Sequence, residues 1–104
     1  MSTVTTTARA KIVSAATPTI YNISMPTAGS EYSQPLSNGT KKILVRARVR
    51  SQIRLAFSSG GTSTFWITLE PGVVYYEENL DLNGVTIYLQ STAASQVTEI
   101  LEWS

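Results

Sequence analysis

Lys42-Ile-Leu-Val-Arg-Ala-Arg-Val-Arg50 alternates in character without a break. Ile43, Val45, Ala47 and Val49 fall on one side, and Lys42, Leu44, Arg46, Arg48 and Arg50 on the other. A strand repeats its side chains every two residues and a helix every 3.6 or so, so only a strand sorts this run into two faces. The stretch therefore predicts a β-strand with one face for a core and an arginine-rich face turned away from it.

The pattern extends in both directions. Downstream, Ile53, Leu55 and Phe57 point inward with Arg54 outward, and Ser58-Ser-Gly-Gly-Thr62 turns the chain. Phe65, Ile67 and Leu69 line a further inward face with Trp66 and Thr68 opposite, before a turn at Glu70-Pro-Gly72. Val73 to Glu78 reads as a strand of mixed character, and Asn83-Gly84 as a turn. Val85, Ile87 and Leu89 alternate with Thr86, Tyr88 and Gln90. The last strand, from Val97 to Trp103, places Val97, Glu99, Leu101 and Trp103 on one face, which calls for an edge position or a bulge at Glu99. The segments 53–69 and 85–103 read as two hairpins. Upstream, Thr19 to Met25 is a strand closed by Pro26. Glu31 to Leu36 is a short edge strand, because Pro35 is tolerated only there. Ser37-Asn-Gly-Thr40 carries the Asn-Gly signal of a hairpin turn.

Strands at this spacing are those of an all-β protein, a small antiparallel β-sandwich or jelly-roll-like barrel of seven to eight strands. It occupies residues 19–104. Residues 1–18 read as a flexible N-terminal arm, small and polar, in which any helical turn between Ala10 and Ala16 stops at Pro18. A length of 104 residues accommodates one domain.

Charged residues make up only 14% of the chain, against about 25% in an average globular protein. Ser and Thr fill the gap. Strand and turn preferences account for this, as does a surface covered by neighbours, since Lys and Glu are depleted at interfaces. The net charge of +1 gives no bulk attraction for nucleic acid. The charges are nevertheless segregated: six of eight basic residues lie between Lys41 and Arg54, and six of seven acidic ones from Glu70 onward.

The composition excludes the commonest catalytic chemistries. The chain has no His and no Cys, so it lacks the usual general base, the nucleophilic triads built on either residue, and Cys or His zinc sites. Gly60-Gly61 lies in a turn between strands rather than before a helix, so it is no phosphate loop. Glu77 and Glu78 are adjacent on a strand and face opposite ways, so they form no glycosidase pair. Asp81 and Asn83 lack the spacing of a calcium loop. No enzyme activity, cofactor or metal is expected. Neither a secretory signal nor a stretch of about 18 apolar residues is present, so no membrane association is expected either.

What remains is a set of candidate contact residues. Arg46, Arg48 and Arg50 share one face, with Arg54 nearby in sequence. They either pair with Glu on neighbouring strands or meet an acidic face of another protein, including a second copy. The planar guanidinium suits that role because it binds carboxylates through two parallel hydrogen bonds. Trp66, Tyr75, Tyr76 and Tyr88 are candidates for a lateral interface. They could equally cap the core or stack on sugars. They do not interleave with the arginines as a single-strand nucleic-acid binder requires.

The runs Gly39-Thr-Lys-Lys-Ile-Leu-Val-Arg-Ala-Arg48, Leu55-Ala-Phe-Ser-Ser-Gly-Gly-Thr-Ser-Thr64, Glu70-Pro-Gly-Val-Val-Tyr-Tyr-Glu-Glu-Asn-Leu80 and Thr86-Ile-Tyr-Leu-Gln-Ser91 together resemble small accessory virion proteins of tailed bacteriophages. The similarity covers residues 20–103. It implies a capsid cement or decoration protein, made in the host cytoplasm, carried on the capsid surface and assembled as a homotrimer where capsomers meet. Its partner would be the major capsid protein or another virion protein. On charge, Arg46, Arg48, Arg50 and Arg54 would meet a neighbour's carboxylates, and Arg9 and Lys11 would carry the arm across the capsid. A phage tail or fibre component with a glycan-binding surface is the alternative.

Overall fold

Alternating apolar and polar residues between Thr19 and Trp103 form eight strands in the computed structural model, which describes residues 17–104. They are β1 (Thr19–Met25), β2 (Glu31–Pro35), β3 (Lys42–Ala47), β4 (Ile53–Ala56), β5 (Ile67–Leu69), β6 (Tyr75–Glu77), β7 (Thr86–Ser91) and β8 (Gln96–Trp103). The single helical element among the described residues is a 3-10 turn at Gly61–Ser63. Two antiparallel four-stranded sheets result, ordered β1-β8-β3-β6 and β2-β7-β4-β5.

This order is that of a jelly roll. β1 pairs with β8, β2 with β7, β3 with β6 and β4 with β5, as in one long folded ribbon. Contacts of β3 with β8 and of β4 with β7 roll the ribbon into two facing sheets. In chain order, only the β4–β5 connection stays within one sheet. Each other connection crosses to the opposite sheet.

The crossings correct two expectations, the hairpin turn at Asn38-Gly39 and the hairpin over 85–103. Asn38-Gly39 does form a turn and Asn83-Gly84 a bend, with Gly39 at φ +83° and Gly84 at φ +68°, a region glycine enters without a Cβ clash. They join strands of different sheets rather than the arms of hairpins. The turn and the bend also meet, the Gly84 N–H donating to Asn38 Oδ1 at 2.9 Å. The segment 85–103 is likewise no hairpin, because β7 and β8 belong to different sheets.

The core lies between the sheets, where Met25, Ile43, Val45, Leu55, Ile87, Leu89 and Ile100 are essentially inaccessible to solvent. In β3 the buried residues are Ile43 and Val45, as the alternation predicts. The strand stops at Ala47, however, and Val49 is 62% exposed, because the chain must there leave β3 to reach β4 in the other sheet. Phe57 and Phe65 are also exposed, Phe65 at 86%. Phe57 follows the end of β4, and Phe65 precedes the three-residue β5, just after the 3-10 turn. Ile67 keeps the inward register opposite Leu55 but lies on an edge strand, which leaves it open to solvent.

The face of β8 is the inverse of the expected one. β8 is central, pairing with β1 and β3 in uninterrupted register, so it needs neither an edge position nor a bulge. Its inward residues are Thr98, Ile100 and Glu102, and Glu99 faces out. Glu102, only 3% exposed, accepts a hydrogen bond from the Ser37 N–H at 3.0 Å. The expected arm falls outside the described residues except for Thr17 and Pro18.

The 3-10 turn folds back over the outer side of β4, leaving no room between Gly61 and Ala56. A Cβ on Gly61 would come within 2.7 Å of Ala56 Cβ. Gly61→Ala is expected to destabilise the protein by about 1–3 kcal/mol through overpacking. Adding Ala56→Gly should recover part of the loss, with a coupling of about 1 kcal/mol in a double-mutant cycle followed by urea unfolding.

Candidate functional site

The outer face of the β1-β8-β3-β6 sheet carries the arginines. Register sets Arg46 directly opposite Glu99 on β8, and Arg48 follows one step along the same face, within diagonal reach. Arg46 Nε donates to Glu99 Oε1 at 2.9 Å, and Arg48 Nε donates to Glu99 Oε2 at 2.8 Å. One carboxylate thus bridges two guanidinium groups. The hydrogen bond from Arg48, then that from Arg46, holds the Glu99 carboxyl below the usual carboxylate range. Of the two readings of the stripe, pairing with a Glu on a neighbouring strand holds for Arg46 and Arg48.

Arg50 lies beyond the end of β3 and forms no ion pair among the described residues. Its guanidinium rests against Gly72, where an added Cβ would sit 3.1 Å from the head group. Gly72, at φ +86°, suits both that approach and the turn. Arg46, Arg48 and Arg50 line a cleft of about 250 Å³ with Val73 and Val74 on its other wall. Two cations there are tied to one anion and the third is free, so the cleft is net positive. Both valines are exposed.

Arg54 does not belong to this group. β4 lies in the other sheet, and Arg54 occupies the outer face of that sheet, opposite Gln90 and Thr68. Its Nη1 donates to Thr62 O at 3.0 Å, and its guanidinium stacks 4.0 Å from the Trp66 ring centroid. Glu31 anchors the same turn, accepting from the N–H groups of Gly60 at 2.9 Å and Thr62 at 3.2 Å and from the Thr62 hydroxyl. The Thr62 hydroxyl bond, then the Gly60 amide, lowers the Glu31 pKa. Arg54 and Glu31 thus fasten the turn to the sheet from either end. Sequence reasoning passed over Glu31, whose only signal was its isolation from the other acidic residues.

The four aromatics do not make one surface. Trp66 and Tyr88 belong to the outer side of the β2-β7-β4-β5 sheet, on the Arg54 parity. Tyr76 is on the outer side of the other sheet, opposite Leu44, and its hydroxyl donates to Glu78 at 3.3 Å. Tyr75 turns inward beside Val45 and packs against Phe57, with ring centroids 6.3 Å apart. Burial, then the charge of Glu77, pushes the Tyr75 hydroxyl pKa up. Arg9 and Lys11 lie outside the described residues.

A further feature of the arginine face escaped the sequence reading. Ile20, Leu101, Leu44 and Tyr76 stand in register across all four strands, forming an apolar row over the outer side of the sheet. Ile20 is 63% exposed and Tyr76 46%. Leu44, an apolar residue within the cationic half of the 42–50 alternation, was its one signal. Below the row, the Lys42 ammonium lies 5.0 Å from the Trp103 ring. Among the described residues no cluster of three or more His, Cys, Asp or Glu side chains is placed to hold a metal ion.

No protein-family model and no curated protein matches this sequence. Among solved structures, a de novo designed double-stranded β-helix determined by solution NMR aligns over 85% of this chain and 99% of its own. The identity is 20% and the TM-score 0.49. No function follows from it.

Glu99 and Glu31 both hold their protons less tightly folded than unfolded. Their stabilisation is therefore complete above the unfolded Glu value, about pH 4.3, and drains as pH falls through the lower folded values. Glu99→Gln should cost about 1 kcal/mol at pH 7, the sum of two exposed ion pairs. The difference from the parent protein should narrow when the pH is lowered from 7 to about 3. Urea midpoints at the two pH values measure both effects.

Proposed function

We propose that this protein is a structural component of a bacteriophage particle, a capsid cement or decoration protein that stabilises the head as a homotrimer. It works by docking and performs no catalysis. The docking surface is the outer face of the β1-β8-β3-β6 sheet, and its target is a carboxylate-bearing segment of a neighbouring virion protein. The observation that carries this reading is the cleft at the end of β3. There the free Arg50 cation sits between two arginines already oriented by Glu99 and a wall of exposed valines. Pre-oriented guanidinium groups lose less freedom on meeting a carboxylate than free ones do. The apolar row beside them supplies surface for burial.

Two further considerations support the assignment. Jelly rolls recur in viral capsid proteins, although they also serve lectins and cupins, so the fold is an analogy and the site must carry the argument. The resemblance of residues 20–103 to tailed-phage accessory proteins supplies the particle. A tail or fibre role through glycan binding has less support. Trp66 and Tyr76 lie on opposite outer faces, and Arg54 covers one side of the Trp66 ring.

Arg50→Glu reverses the free cation without breaking the Glu99 pairs. It should weaken attachment to capsids at least tenfold, or about 1.4 kcal/mol, in a co-sedimentation assay, while leaving the urea midpoint unchanged. Mass spectrometry of purified particles should find the protein in stoichiometric copies. Unchanged attachment of the variant would remove the cleft from the docking surface. Absence from particles, or glycan binding lost on Trp66→Ala, would overturn the assignment itself.

A further inference from the structure

The flank of the sandwich beside β6 holds a second, chemically different cavity. It measures about 340 Å³, within the range of small-molecule sites, about 300–1,000 Å³. Strand register explains how it forms. Glu77 pairs with Ile43 and Tyr75 with Val45, and both partners point into the core, so Tyr75 and Glu77 share that inward parity. β6 is the edge of its sheet, so the two side chains emerge between the sheets at an opening rather than in the core. Across the gap, Leu80, Leu82 and Val85 come from the segment that crosses to β7, and Phe57 from the end of β4. Ile43 closes the floor.

This lining is apolar except for the Glu77 carboxylate and the Tyr75 hydroxyl that it influences. Glu77 is exposed at the rim and forms no ion pair among the described residues. Beside it, the rings of Phe57 and Tyr75 meet at 55°, with centroids 6.3 Å apart. Aromatic rings attract an organic cation within about 6 Å of a ring centroid, and here two of them share one lining with a carboxylate of opposite charge. A hydrated metal ion is a poor occupant, because hard cations need several oxygen ligands and the floor is hydrocarbon. An anion would meet Glu77 at the entrance. Only a molecule that is both cationic and apolar satisfies every wall.

We propose that this slot is a binding site for small hydrophobic organic cations, alkyl- or aryl-ammonium compounds, with the ammonium head held by Glu77, Phe57 and Tyr75 and the apolar body against Ile43, Leu80 and Leu82. The proposal does not depend on the virion reading, since the slot shares no residue with the arginine cleft. It also gives a use to the opposed directions of Glu77 and Glu78, only the first of which has the slot's parity.

The test is an NMR titration of the full chain with three probes built on one ring: benzyltrimethylammonium, benzyl alcohol and benzoate. The cation should bind at least tenfold more tightly than the alcohol, and benzoate should not bind. Amide shifts should concentrate at Ile43, Phe57 and residues 75–85. Glu77→Gln should reduce cation affinity about tenfold, to the level of the alcohol, and Phe57→Leu should weaken it as well. Glu78→Gln, on the opposite face, should change nothing. The proposal fails if benzyltrimethylammonium at 10 mM (about the weakest useful affinity on this scale) shifts none of these amides. It also fails if cation and alcohol bind alike, or if Glu78→Gln matters as much as Glu77→Gln.

Discussion

The seating of β8 between β1 and β3 is the constraint on which the rest of the molecule depends. It brings the last strand into register with both the first and the third, so Leu101 faces Ile20 on one side and Leu44 on the other. Without it the β1-β8-β3-β6 sheet would divide in two. Ile100 would leave the core, and Glu99 would not reach the arginines. The pairing joins the two ends of the described chain, and such closures lose chain entropy before any contact repays it. Topology therefore makes this sheet expensive to nucleate, and the burial it completes must hold it.

Magnitudes show which interactions do so. Each fully buried aliphatic side chain contributes about 1.5–3 kcal/mol, and Ile43, Val45, Leu55, Ile87, Leu89 and Ile100 are all inaccessible. The ion pairs on the outer face are solvent-exposed and contribute about 0–1 kcal/mol each. The apolar layer therefore dominates stability by a wide margin. The Glu99 bridge has a different consequence: it fixes where two guanidinium groups point. Alternation in β3 delivers both, Ile43 and Val45 to the core and Arg46 to the oriented charged surface, which Arg48 continues past the end of the strand.

Much of this was legible in the sequence. The strict alternation of 42–50 identified β3 and its faces, and the turn signals counted the strands, because both are local properties. Sheet membership was not legible. Asn38-Gly39 marks a turn, but whether the next strand pairs back or crosses depends on partners far away in the chain, and here it crosses. The parity of β8 was ambiguous for a physical reason. Either face of Val97–Trp103 presents a Glu, so hydrophobicity alone could not choose between burying Glu99 and burying Glu102. The choice turns on the Ser37 amide that meets Glu102 and the two arginines that meet Glu99. Arg54 was misplaced for the same reason as the turns: near Arg50 in sequence, it lies across the sandwich. The slot beside β6 was invisible because its lining comes from four separate segments.

The sheet edges bear on how such a domain can associate. β6 and β5 are three residues each, β6 ending at Glu77 with Glu78 next to it and β5 followed by Glu70-Pro71. β2 begins at Glu31 and ends at Pro35. Short length, charge and proline are the features that keep an edge from recruiting another strand. β1 is longer and uncharged, but Pro18 and Pro26 bracket it and limit how far a ladder could extend. Backbone pairing is thus discouraged at every edge among the described residues. The adhesive features lie instead on side-chain surfaces, the arginine cleft with its apolar row and the aromatic–carboxylate slot. Recognition through such surfaces depends on shape and charge. A partner must therefore match the spacing of these side chains, which any exposed strand would not have to do at an open edge.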